Sequence, residues 1–206
     1  MRIVEQKVSA EDRPIFDLDE FLSRPLYAHL AHSAGGEPRE SPVWFHWDGQ
    51  AVWIIGGTSF SANLKREPRC ALGIVDWDPP TGKSHHVGMR GAAEVLPFDP
   101  AMARTIFRKY SGPNEAEWDS RFDDVFTNEH GLELVRFIPE TVVVRDQSYK
   151  PTRWARESGR QGERIKIHNS LKNKEKRQAI SNGSLRHNSL WHRRLRNLVR
   201  SPWSGR

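Results

Sequence analysis

The run Leu26-Tyr27-Ala28-His29-Leu30-Ala31-His32-Ser33 alternates small or apolar with polar residues. A period of two predicts a strand with one face buried. Gly35-Gly36 turns the chain, and two runs rich in aromatic and β-branched residues follow, Arg39 to Trp47 and Ala51 to Ile55. They are joined through Asp48-Gly49, a strong short-range hairpin signal. The short connections make these three strands antiparallel. Cys70 to Val75 predicts a fourth strand. His86 to Val95 predicts a fifth, with glycines suited to a bend or a close backbone approach. Leu132 to Arg145 predicts a sixth, bent at Pro139. Short helices fall between the strands. Asp17 to Leu22 is stopped by Pro25, and Ser61 to Glu67 by Pro68. Asp99-Pro100 takes the N-cap and N1 positions of a helix reaching Tyr110, and Trp118 to Phe126 forms a shorter one. The pattern predicts a mainly β fold with inserted helices, a closed or partly closed antiparallel barrel of six strands. Strand count alone does not separate a split barrel from a sandwich.

Charge divides the 206 residues unevenly. Residues 1–155 carry 18 Lys+Arg against 23 Asp+Glu, a net of −5, whereas 156–206 carry 14 against 3, a net of +11. The basic character belongs to the last fifty residues, which excludes reading the whole protein as a basic nucleic-acid-binding domain. The expected organisation is an N-terminal extension over 1–16, a folded body over 17–154 and a basic tail over 155–206. Low hydrophobicity and high net charge make that tail a candidate for disorder. Ser189 to Val199 has the spacing of a weak basic amphipathic helix. The tail has four open readings: nucleic-acid binding, attachment to an anionic surface, a solubilising extension, or the product of a shifted reading frame. A single cysteine, Cys70, excludes an internal disulfide framework and is expected to be an inert buried thiol. No apolar run approaches the length of a membrane span, and the N-terminus lacks the apolar region of a signal peptide. The expected location is therefore the cytoplasm.

The chemistry-bearing stretch is Trp53 to Leu64, where Gly56, Gly57, Thr58, Ser59 and Ser61 sit between a strand and a helix N-terminus. Free backbone N–H groups and hydroxyls there suit a phosphate; equally, the glycines make a turn and a serine caps the helix. His29 and His32 are three apart on a strand and face opposite sides, so no converging metal set can be assembled. Trp44, Trp47 and Trp53 load one hairpin with aromatic surface suited to core or interface packing.

The blocks Pro42-Val43-Trp44-Phe45-His46-Trp47-Asp48-Gly49, Thr58, Asn63 to Leu72, and Val87-Gly88-Met89-Arg90-Gly91-Ala92-Ala93 together resemble the pyridoxamine 5′-phosphate oxidase-like family. The resemblance covers roughly residues 17–154. It implies a Greek-key split β-barrel that forms a homodimer and holds FMN or a deazaflavin coenzyme between its protomers. Haem in the same groove is the lesser alternative. It further implies a ring system along Ser41, Val43 and Trp44, a phosphate near Gly57, Thr58, Ser59, Ser61 and Asn63, and polar contacts from His86 and Arg90. The activity implied is that of an oxidoreductase on an unidentified small-molecule substrate, the alternative being a non-catalytic cofactor- or ligand-binding protein. One departure matters. Many FMN-binding members place Arg or Lys just before the Asn-Leu pair, where this chain has Ser59-Phe60-Ser61-Ala62, leaving Lys65, Arg66 or Arg90 as substitutes. The family's C-terminal substrate segment cannot be matched to Asp146 through Trp154, so vitamin B6 oxidation is not expected.

Overall fold

The computed structural model describes residues 1–7, 15–127, 131–159, 170–175 and 178. The chain divides into two compact units, Met1–Arg156 and Glu157–Arg206. Within the second, 157–159 and 170–175 are helical; the Ser189 to Val199 segment lies outside the described residues.

The first unit carries one eight-stranded sheet. Its strands are β1 (Arg2–Lys7), β2 (Ala28–Ala34), β3 (Glu37–Val43), β4 (Phe45–Trp47), β5 (Val52–Gly56), β6 (Arg69–Asp78), β7 (Lys83–Pro97) and β8 (Glu133–Asp146). They lie in the order β3-β2-β6-β7-β8-β5-β4, with β1 added to β8. The meander β6-β7-β8 with β5 returning beside β8 is a Greek key, and the sheet is that of a split barrel with peripheral helices. Six strands were expected and eight are found, for two reasons. The run from Arg39 to Trp47 breaks at Trp44, which leaves the ladder to stack on a helix. Residues 2–7, with only Ile3 and Val4 apolar, also add a strand, and that strand pairs with β8 in parallel.

β8 is the spine. One edge pairs with β7 along its whole length, while the other is shared by β5 over Glu133–Phe137 and β1 over Thr141–Asp146. Pro139 sits in the gap between the two partners, where its missing N–H costs no ladder bond. Opposite it the β7–β8 register shifts between Arg90 and Gly91. A Cβ at Gly91 would lie 2.0 Å from the Ile138 carbonyl oxygen, so this glycine is the close backbone approach that the fifth strand's composition suggested.

The helices are α1 (Leu18–Ser23), α2 (Thr58–Arg66), α3 (Pro100–Ser111) and α4 (Asp123–Thr127). Asp17 caps α1 by accepting from the Glu20 amide at 2.7 Å, and Asp99 caps α3 by accepting from Ala101 at 2.8 Å. Both start signals in the sequence therefore act as caps. The segment read as one helix over Trp118 to Phe126 is instead a 3-10 turn at Ser120–Phe122 followed by α4. The core is built by one face of the sheet, from Leu30, Phe45, Ile54, Leu72, Ile74, Val87, Met89, Phe137 and Val142, closed by Phe21 and Leu22 of α1 and Leu64 of α2. Among the described residues no helix is long and apolar enough to cross a membrane.

Candidate functional site

Along β6, β7 and β8 the side chains alternate between two environments. Leu72, Ile74, Val87, Met89, Val142 and Val144 point into the core. Their neighbours Ala71, Gly73, Gly88, Arg90, Val143 and Arg145 point outward, and with Ala31 of β2 and His86 of β7 they line a half-open groove of about 240 Å³. Its floor is the cross-strand pair Gly73–Gly88. The absence of side chains at both positions makes the groove: a Cβ at Gly88 would stand 3.1 Å from His86 Cε1, and one at Gly73 would stand 3.9 Å from His86 Nε2. The His86 ring thus lies over the glycine pair. Arg145 Nη1 is 2.9 Å from His86 Nδ1, and Arg145 Nε donates to Gln6 Oε1 at 2.7 Å. Burial first, and the Arg145 charge second, hold His86 below the usual histidine pKa. The groove is flanked by exposed apolar side chains on β6, Val75 at 50% and Trp77 at 62% exposure.

The second place of interest is α2. Gly57 is its N-cap and supplies no side-chain cap. Gly56, just before it, has to be glycine, because a Cβ there would lie 2.3 Å from Ser61 Oγ and 3.2 Å from the Glu133 carbonyl oxygen. The Ser61 hydroxyl is fully buried and has no hydrogen-bond partner. Asn63 Nδ2 is 3.4 Å from His32 Nε2, while Asn63 Oδ1 accepts from Arg66 at 2.7 Å. His32 is itself buried on the core side of β2, with Nδ1 unpartnered. Lys65 pairs with Glu133.

The residues expected to hold a ligand are therefore brought together in part. His86 and Arg90 share the outer groove. Gly57, Thr58, Ser59, Ser61 and Asn63 belong to α2 or its cap, with Ser61 turned into the interior. Ser41 and Val43 oppose Leu30 and Ala28 in the β2–β3 register, so they face the core side and not the groove. Trp44 is drawn elsewhere. Its indole stacks on Tyr110 with centroids 4.6 Å apart and planes 2° from parallel, and Phe107 and Phe122 meet it edge-on. The hairpin's other tryptophans are also accommodated locally. Trp47 donates to Asp19 and Trp53 to Asp48, each at 2.6 Å. Among the described residues the exposed aromatics are instead Tyr27, Trp77, Tyr149 and Trp154. The Phe60 ring packs against the core, 6.3 Å from His32.

Sequence reading did not single out Gly73, Arg145 or Gln6, and weighed His32 only as a metal ligand. Gly73 and Arg145 were legible as outward positions of strands already identified; Gln6 was not, because its strand has no apolar alternation. Cys70 is half-buried, with its thiol pushed up to about 12 by desolvation. Among the described residues no three His, Cys, Asp or Glu side chains converge as metal ligands.

The groove's lining combines small Gly and Ala positions, the His86 imidazole over the glycine pair, and Arg90, whose guanidinium makes no ion pair among the described residues. A phosphate at α2 would find neither Lys65 nor Arg66 unengaged.

No family model and no curated protein matches the sequence. Solved structures do. An F420 reductase is 26% identical, with a TM-score of 0.47, and the match covers 60% of this chain and 94% of that one. The conserved hypothetical protein Rv2991 from Mycobacterium tuberculosis is 19% identical, with a TM-score of 0.53, covering 67% and 90%. The heme storage protein HutZ from Vibrio cholerae is 15% identical, with a TM-score of 0.46, covering 63% and 92%. A putative pyridoxamine 5′-phosphate oxidase from Listeria innocua, by its name of the family that the sequence motifs resemble, is 17% identical, with a TM-score of 0.44, covering 61% and 92%.

Proposed function

We propose that the protein binds a flavin or deazaflavin coenzyme in the groove over Gly73 and Gly88 and acts as an oxidoreductase on a small-molecule substrate, as a homodimer that places a second copy against this face. The observation that carries the reading is the contrast between the groove's lining and its rim. The glycine floor leaves room for the His86 imidazole, small Ala31, Ala71 and Val143 beside it leave space for a planar ring that the imidazole can hydrogen-bond, and exposed Val75 and Trp77 supply apolar surface for a second protomer. Homodimer interfaces are more apolar at their centre than ordinary surface. Of the expected ligand contacts, His86 and Arg90 lie on this outer face, whereas Ser41 and Val43 face the core side and have no part in it.

When bound, the coenzyme supplies the hydride or electron chemistry. The chain's own residues bind and orient it: His86, for whose imidazole the glycine pair leaves room, as the hydrogen-bonding group, Arg90 as a cation toward an anionic part of the ligand, and Ala31, Ala71 and Val143 as small outward surface beside them. Binding without turnover is the second reading. It is favoured by the engagement of Lys65 with Glu133 and Arg66 with Asn63, which leaves α2 without a spare cation for a phosphate.

The test is titration of the purified full chain with FMN and, separately, with F420, following fluorescence, together with mass spectrometry of whatever co-purifies. Saturable binding of either at micromolar concentration supports the reading, and turnover with an electron donor separates the enzyme from the binding protein. Failure of both to bind at high micromolar concentration overturns it. A monomeric mass in sedimentation overturns the dimer.

A further inference from the structure

His86 and Arg145 are direct cross-strand partners on β7 and β8, and Gln6 is the partner of Arg145 on β1. Three strands thus place three polar side chains in one row across the outer face. The contact between Arg145 Nη1 and His86 Nδ1 is 2.9 Å. A guanidinium has only donors. Nδ1 must therefore be the acceptor, so the ring is neutral and carries its proton on Nε2. The opposite side of the guanidinium is held by Gln6 Oε1, which accepts from Nε at 2.7 Å. Nε2 is the ring nitrogen nearest to the Gly73 floor, and it makes no hydrogen bond among the described residues.

We infer that Arg145 and Gln6 are positioning residues that lock His86 in its Nε2–H tautomer, so that the groove presents a fixed N–H donor to a hydrogen-bond acceptor, a ring carbonyl oxygen or unprotonated ring nitrogen, on the bound ligand. The identity of that ligand rests on the function proposed above; the lock itself does not. It follows that β1 belongs to the site and is not a dispensable extension. The chain's first residues reach the groove through Arg145.

The lock is sensitive to acid. Protonation puts an N–H on Nδ1 facing another donor, so the pair must separate. The other charged groups on this face are Arg90 of β7, the Glu94–Arg136 pair of β7 and β8, the His29–Glu40 pair of β2 and β3, the Arg69–Glu140 pair of β6 and β8, and Arg2 of β1. β6 itself presents only Ala71, Gly73, Val75 and Trp77 across from the ring. Burial and Arg145 both disfavour the charged ring. The folded protein therefore binds fewer protons at His86 than the unfolded chain just below pH 6.5, and the stability and order of the row fall as pH drops through that window.

The experiment is nitrogen-15 NMR of the histidine side chains in the ligand-free full chain, for the wild type, Arg145→Met and Gln6→Leu, with a riboflavin titration of each. The expected wild-type spectrum shows His86 neutral at pH 7, with the Nε2–H form in at least about tenfold excess and a titration below that of an ordinary histidine. Arg145→Met is expected to raise the pKa toward the ordinary value and relax the tautomer ratio, with Gln6→Leu moving both in the same direction by less. A wild-type Nδ1–H tautomer, or a titration unchanged in Arg145→Met, overturns the lock. If Arg145→Met fails to fold, Gln6→Leu decides it alone, and an unmoved His86 titration there counts against it. Locked spectra with no riboflavin or F420 binding would contradict the proposed ligand and leave the lock standing. Unlocked spectra with undiminished riboflavin affinity would contradict the lock and leave the ligand standing.

Discussion

The two faces of β6, β7 and β8 are made by alternate residues of the same three strands and do opposite things. On the inner face Leu72, Ile74, Val87, Met89, Val142 and Val144 are buried and hold the fold. One residue along, Ala71, Gly73, Gly88 and Val143 are small, and the larger side chains among them are polar. A strand's period of two lets stability and ligand recognition be specified independently by alternate positions. The glycines teach the same lesson at higher resolution. Gly91 faces the core side and is required by the Ile138 carbonyl. Gly88 faces outward and meets only the side-chain tips of His86 and Arg145.

That contrast is broken most strongly by a paired substitution. Gly91→Ala should cost about 3 kcal/mol or more, because the new Cβ meets backbone that cannot yield. Gly88→Ala should change stability by less than about 1 kcal/mol while displacing His86 and weakening any ligand in the groove. Urea denaturation of the two variants measures the difference. Equal losses would mean that the outer face is structural too.

Phe60→Lys sharpens the comparison at α2. The sequence alone suggests that a cation there would mend the missing phosphate partner. The ring packs against the core instead, so the substitution should cost about 1–3 kcal/mol, measured in the same way. A tighter FMN complex at unchanged stability would restore the original expectation.

Lys109 tests the inner side electrostatically. Burial lowers its pKa to about 7. The Leu22 carbonyl accepting its Nζ at 2.7 Å and the Phe45 ring 3.4 Å beneath it work in the opposite direction, favouring the ammonium. The unfolded chain, with lysine at its ordinary 10.5, binds more protons between pH 7 and 10.5, so this group makes stability rise with pH across that window. Below pH 7 the penalty is fully present. Lys109→Met should therefore gain more at pH 6 than at pH 9.5, by on the order of 1–2 kcal/mol. An equal effect at both values would show that the amine is charged throughout.

The smallest effect belongs to Gly57→Ala. Its Cβ would have only an ordinary 3.8 Å contact with Phe60, so stability should move by less than about 0.5 kcal/mol. A loss of ligand affinity without a loss of stability would place a ligand against the α2 cap.

The sheet's strands were legible because alternation survives wherever one face is buried. The caps at Asp17 and Asp99 and the turns at Gly35-Gly36 and Asp48-Gly49 were legible from local chemistry. β1 was not, since Arg2-Ile3-Val4-Glu5-Gln6-Lys7 owes its pairing to β8 and not to a pattern of its own. Trp44 was misplaced for a related reason. Its direction depends on the aromatic cluster brought to it by α3, a partner more than fifty residues away. Of the candidate ligand contacts, His86 and Arg90 came from the family resemblance, and the structure turns both outward. Arg145 was missed because nothing within β8 tells which outward residue will meet a histidine on β7.

The most direct measurement is an amide chemical-shift map of the full chain titrated with FMN and with F420. The account predicts perturbations concentrated at Ala31, Ala71, Gly73, Gly88 and Arg90, on the outer face of the sheet. Saturable binding that leaves those amides unmoved, with shifts gathered at Thr81, Lys83 and Lys150 beside a second cavity, would contradict it.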